Sequence, residues 1–144
     1  MTAVTVRRRI PAPAERLFDA WLDPASLAVW MRRDDTGEPS LVVADPRVGG
    51  AFSITMRDRF GTIAHSGTYR VIDRPRTLEF TWWSEHTNQV DSVVRVTFEP
   101  DGDATVVEVH HRKLPDAESA AKHEAGWTEI LGRLARMTQG TEAA

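Results

Sequence analysis

From Leu41 onward, apolar and polar residues alternate with a period of two, and the alternation breaks only at turn-forming residues. Leu41–Ala44 predicts a short strand, and Asp45-Pro46-Arg47-Val48-Gly49-Gly50 a turn or bulge after it. Phe52, Ile54 and Met56 then alternate with polar partners up to a hairpin turn around Arg59-Phe60-Gly61. His65, Gly67, Tyr69 and Val71 share one face of the next strand, which ends at Asp73-Arg74-Pro75-Arg76. Leu78, Phe80 and Trp82 alternate with Glu79, Thr81 and Trp83, before a polar connection over residues 84–89. Val94, Val96 and Phe98 lead into the hairpin turn Pro100-Asp101-Gly102-Asp103, and Thr105, Val107 and Val109 complete the set.

Residues outside this stretch follow other periods. Val4, Val6, Arg8 and Ile10 alternate with polar residues, predicting a first strand that stops at Pro11. Pro13 can open a helix whose apolar face holds Leu17, Phe18, Trp21 and Leu22, and Asp23-Pro24 breaks it. A second short helix is expected over residues 25–30, and a polar loop over residues 32–40. At the far end, Ala120, His123, Trp127, Ile130, Leu131, Leu134 and Met137 recur at three- and four-residue steps. That spacing predicts one long amphipathic helix over residues 116–137, N-capped by Asp116, with Gly140 as its natural stop. Its charged residues, Arg133 and Arg136 among them, fall mainly on other faces.

A helix with one apolar stripe needs a surface to cover, and a meander of strands is the largest one this chain supplies. The expectation is an α+β fold in which a curved antiparallel sheet of about six to seven strands wraps the C-terminal helix. A space is left between the two. One domain spans residues 1–144, with an ordered core over about 4–137 and a tail over 138–144.

Composition narrows the function. Eighteen Lys+Arg against 21 Asp+Glu give a net charge of −3, which argues against nucleic acid as the partner. No cysteine is present, so disulfides and thiol nucleophiles are excluded. No apolar run reaches membrane-spanning length and no signal-peptide core is seen, so a soluble cytoplasmic protein, monomer or homodimer, is expected without membrane insertion. His110 and His111 are neighbours on a strand and point to opposite faces, and no His-Glu-x-x-His set exists, so neither a metal nor another cofactor is expected. Nucleophile-elbow, phosphate-loop and dinucleotide motifs are all missing.

The stronger signal is aromatic. Phe52, Tyr69, Phe80, Trp82, Phe98 and Trp127 are all expected to face inward, so any cavity is apolar and aromatic. Trp30, Ile54, Met56, Val94, Val96 and Leu131 are expected to line it too, with His65, Tyr69 and His123 as polar handles. Gly126, in mid-helix, costs roughly 1 kcal/mol relative to Ala. The helix backbone there is expected to lie close to the sheet or to a ligand. Each of these side chains can equally be core.

Four stretches carry a resemblance: Phe18…Trp21…Pro24…Leu27-Ala28-Val29-Trp30-Met31, Asp45-Pro46-Arg47-Val48-Gly49-Gly50-Ala51-Phe52, Gly67-Thr68-Tyr69, and His123-Glu124-Ala125-Gly126-Trp127…Leu131…Leu134. Together they resemble the activator of Hsp90 ATPase homologue-like family of the START/Bet v 1 helix-grip (SRPBCC) superfamily. The resemblance implies a helix-grip fold with an internal cavity between sheet and C-terminal helix. It departs at Trp30-Met31, where members often carry a Trp-Trp pair. The expected function is binding of a small hydrophobic or aromatic molecule in a carrier, sequestration or sensor role. The alternatives are an enzyme such as a cyclase or hydrolase acting in the same cavity, and an Hsp90-type chaperone ATPase regulator with a role in stress response. For a chaperone partner the pattern offers no large exposed apolar stripe.

Overall fold

The computed structural model describes residues 2–32, 38–58 and 61–143. Seven strands form one antiparallel sheet: β1 (Thr2–Ile10), β2 (Leu41–Ala44), β3 (Ala51–Asp58), β4 (Gly61–Asp73), β5 (Thr77–Trp82), β6 (Ser92–Asp101) and β7 (Ala104–Leu114). Their order across the sheet is β1-β7-β6-β5-β4-β3-β2, so every neighbour but β1 follows in sequence, as hairpin turns require. The expected turn at Arg59-Phe60 and residues 33–37 of the expected loop lie outside the described residues.

Two short helices, α1 (Ala14–Ala20) and α2 (Pro24–Trp30), connect β1 to β2, and α3 (Ala117–Ala143) closes the chain. Pro24 sits in the first turn of α2, where its missing N–H costs nothing. Asp116 caps α3 by accepting from the Ser119 N–H at 2.8 Å. The helix then runs through Gly140 to Ala143, beyond the stop expected there.

The apolar stripe of α3, with Trp127, Ile130, Leu131 and Leu134 buried, packs into the hollow of the sheet against β1 and β7. Arg133 is buried as well, contrary to its expected place on an outer face; its guanidinium donates to the Arg32 carbonyl. The sheet's outer face is polar. There Glu79 is 4% exposed, held by Arg95 at 3.2 Å, Arg112 at 3.3 Å and Arg70 at 3.5 Å.

One alternation fails. Between Tyr69 and Val71 the register to β5 slips by a residue, so Val71 pairs with outward Glu79 and Ile72 with inward Leu78. The extra residue, Arg70, turns Val71 away from the core, where strict period-two counting had placed it. A second difference lies in the polar connection after β5. It holds a single 3₁₀ turn, Glu85–Thr87, whose capping box is made by Ser84 and Thr87.

Candidate functional site

Inside the grip, the two halves of the hollow differ. Where α1 and α2 close one end, Trp21 meets Trp30 edge-on at 4.7 Å, and Phe18 meets Phe98 likewise at 5.1 Å. Trp30 is fully buried and its Nε1–H donates to the Ala20 carbonyl at 3.2 Å. This end is solid core. Val94, Val96 and Leu131, all at 0% exposure, belong to it.

Beside it, Phe52, Ile54, Tyr69 and Phe80 surround a void of about 10 Å³, together with Trp21, Leu27, Met31 and Trp82. Burial, and secondarily the Asp45 carboxylate, pushes the Tyr69 hydroxyl up to about 12, so it stays protonated. The Nε1–H groups of Trp21 and Trp82 are buried without a hydrogen-bond partner among the described residues.

The other end is open. A cavity of about 450 Å³ lies between α3 and strands β3 to β5. Met56, Ile63, Trp82, Trp127 and Ile130 give it an apolar floor; Arg32, His65, His86, Lys122 and His123 give it a polar rim. Trp82 walls it off from the small void. Trp82 and Trp127 approach at 5.3 Å, and the His65 ring lies over Trp82 at 4.8 Å with 32° between planes. Gly126 also faces this space: a Cβ built there meets nothing within 4 Å. Of the two settings expected for Gly126, close approach to the sheet is thereby excluded.

A chain of hydrogen bonds fixes the polar side of the cavity. Trp127 Nε1–H donates to His111 Nδ1 at 3.0 Å, which leaves the His111 proton on Nε2, donated to Ser92 Oγ at 2.7 Å. The Ser92 hydroxyl in turn donates to the Trp82 carbonyl at 2.7 Å. Burial, with the adjacent His123 and His110, pushes the His111 imidazole down to about 2.

His123 stands edge-on to His111, ring centres 4.6 Å apart. Its Nδ1 lies 2.7 Å from the Ser119 carbonyl, which can only accept, so Nδ1 carries the proton. Ser119 Oγ in turn donates to the His86 carbonyl at 2.5 Å and ties the 3₁₀ turn to α3. Burial lowers the His123 pKa against the raising effect of the Ser119 bond, with His86 and Lys122 lowering it further.

Of the residues expected at a site, Met56, His65, Trp82, His123 and Trp127 thus meet around the larger cavity. Phe52, Ile54, Tyr69 and Phe80 stand behind the Trp82 wall, and Trp30, Val94, Val96 and Leu131 lie in the core. Sequence reasoning missed His111, weighed only as a metal ligand, although it shares inward parity with Val107 and Val109. The fold also brings His86, from the polar connection over residues 84–89, to the same rim as His65. Among the described residues, no group of three or more His, Asp or Glu could hold a metal ion. No described helix is long and apolar enough to cross a membrane.

Comparison with known proteins supports this architecture. The chain superposes on a solved protein of Chromobacterium violaceum with a TM-score of 0.80 at 24% identity, covering 94% of this chain and 95% of that one. The AHSA1 protein of Silicibacter pomeroyi gives 0.78 at 28% identity, covering 96% and 98%. An HSP90 activator of Plasmodium falciparum gives 0.76 at 22% identity, covering 96% and 97%. No functionally curated protein matches. The model of the family described as activator of Hsp90 ATPase homolog 1-like protein matches residues 11–139, and the chain belongs to that family.

Proposed function

We propose that this protein binds a small apolar, aromatic molecule in the cavity under the N-terminal half of α3, as a carrier, sequestering protein or sensor. One observation carries the reading: an open space of about 450 Å³ between α3 and the sheet, floored by Trp82 and Trp127 and unfilled at Gly126. A volume of about 450 Å³ lies within the range of small-molecule sites. Burial against this floor contributes about 25 cal/mol per Å² of apolar ligand surface. Trp82 and Trp127 supply the readout. A panel of naphthalene- and flavone-sized aromatics should quench tryptophan emission and raise Tm with concentration. Gly126→Leu, which projects a four-carbon side chain into the space, should weaken both effects. A panel that moves neither signal ends the proposal.

A second reading, docking to an Hsp90-type chaperone, is favoured by the solved HSP90 activator among the similar structures and by one surface feature. Edge strand β2 turns Leu41 (55% exposed) and Val43 (72%) outward, with Val29 and Val48 also exposed on the adjoining α2 and turn. Pull-down against the chaperone, with Val43→Lys as the control, decides it; absence of binding at tens of micromolar removes it.

A further inference from the structure

Resting on the small-molecule reading above, we infer that the ligand is an aromatic compound bearing a hydroxyl group, whose O–H donates to Nε2 of His123. The argument is one of hydrogen-bond inventory. Trp127 Nε1–H is spent on His111, His111 is spent at both nitrogens, and Trp82 Nε1–H is a buried donor without a partner among the described residues, which a hydroxyl oxygen can also satisfy. His65 Nδ1 lies 3.3 Å from the Ile54 carbonyl, so its proton is on Nδ1 and its Nε2 is also of acceptor type, above the Trp82 face, while Lys122 pairs with Glu118 at 3.6 Å.

His123 supplies the acceptor on the α3 side, one turn from Trp127. The Ser119 carbonyl takes its Nδ1 proton, so the ring nitrogen left on the other side, Nε2, is an acceptor. Nε2 makes no hydrogen bond among the described residues, and the residue lines the cavity. Burial keeps the imidazole neutral at pH 7. A neutral acceptor beside two indole faces is complementary to an aromatic O–H. A carboxylate would set negative charge against its lone pair, with Arg32 and Lys122 on the same rim as the competing attraction, while an apolar ring would leave it without a hydrogen bond.

The test uses three probes of one shape, at about pH 7 where a phenol-type hydroxyl stays protonated. These are 2-naphthol, 2-methoxynaphthalene and 2-naphthoate, followed by tryptophan quenching. We expect the naphthol to bind about tenfold tighter than the ether, as one net hydrogen bond implies. His123→Phe, which keeps the ring packed on His111, should bring the naphthol down to the ether and leave the ether unchanged. His123→Gln, whose amide oxygen can accept, should restore part of the preference. Equal affinity of naphthol and ether in the wild type overturns the inference while leaving the cavity reading intact. So does tighter binding of the naphthoate, or a naphthol preference that survives in His123→Phe. Should neither naphthol nor ether bind, the cavity reading fails and this one with it. The wild-type comparison decides the matter even if a variant does not fold.

Discussion

The two ends of the groove under α3 are built from the same kinds of residue, yet they do opposite things. At the α1 and α2 end, Trp21, Trp30, Phe18 and Phe98 interlock edge-to-face; at the other, Trp82 and Trp127 form the wall of a hollow. Two glycines register the contrast. A Cβ on Gly67, beside the closed end, would sit 1.9 Å from the Thr81 carbonyl oxygen and 2.6 Å from the Phe52 ring. A Cβ on Gly126 would meet nothing. The first glycine exists to let backbone and ring come together, and the second preserves a space. Aromatic content therefore does not tell core from cavity. What separates them is whether a third layer, here α1 and α2, arrives to fill the groove.

The largest expected effect breaks the closed end. In Gly67→Ala the new Cβ would lie 1.9 Å from the Thr81 backbone oxygen as well as against the Phe52 ring, so the variant should lose about 3 kcal/mol. Urea unfolding measures it. A loss below about 0.5 kcal/mol would mean that the sheet yields there, and that the contrast between the ends is softer than the geometry implies.

How much of this was legible from the chain follows from the reach of each signal. Period-two and helical spacing report which face a residue takes, and they placed Met56, His65, Trp82, His123 and Trp127 inward. They also gave the sheet, the grip and the cap at Asp116. Spacing does not report which inward residues are covered by a neighbour distant in sequence. Trp30 and Phe80 could not be assigned to core or cavity, because that depends on how α1 and α2 seat on the sheet. His111 escaped notice because its partners Ser92 and Trp127 lie 19 and 16 residues away. Val71 was misplaced because a bulge adds one residue without leaving a turn signal.

A smaller effect sharpens the contrast through protons. In the folded state His111 takes a proton only near about 2, whereas in the unfolded chain it does so near 6.5. Above the unfolded value both states are neutral and the group contributes no slope. As pH falls below it, the unfolded chain binds the proton and the folded one does not. Stability then drops by about 1.4 kcal/mol per pH unit, until the folded value is reached. His123, lowered in the same direction, adds to the slope. Urea midpoints between about pH 7 and about pH 5 should fall less in His111→Asn, whose side-chain oxygen can still accept from Trp127. An unchanged slope would show that the buried network opens to admit the proton.

The smallest expected effect concerns Gly126, and its sign is its value. A glycine in a helix interior costs about 1 kcal/mol relative to alanine, and here no packing constraint opposes the change. Gly126→Ala should therefore raise stability by about that amount, read from the same urea curves. Because the new methyl projects into the hollow, it should also weaken an aromatic ligand that fills the space. A stability gain coupled to a binding loss is what a residue retained for the cavity gives. A stability loss would mean that α3 and the sheet approach more closely in solution, and the distinction between the two ends of the groove would disappear.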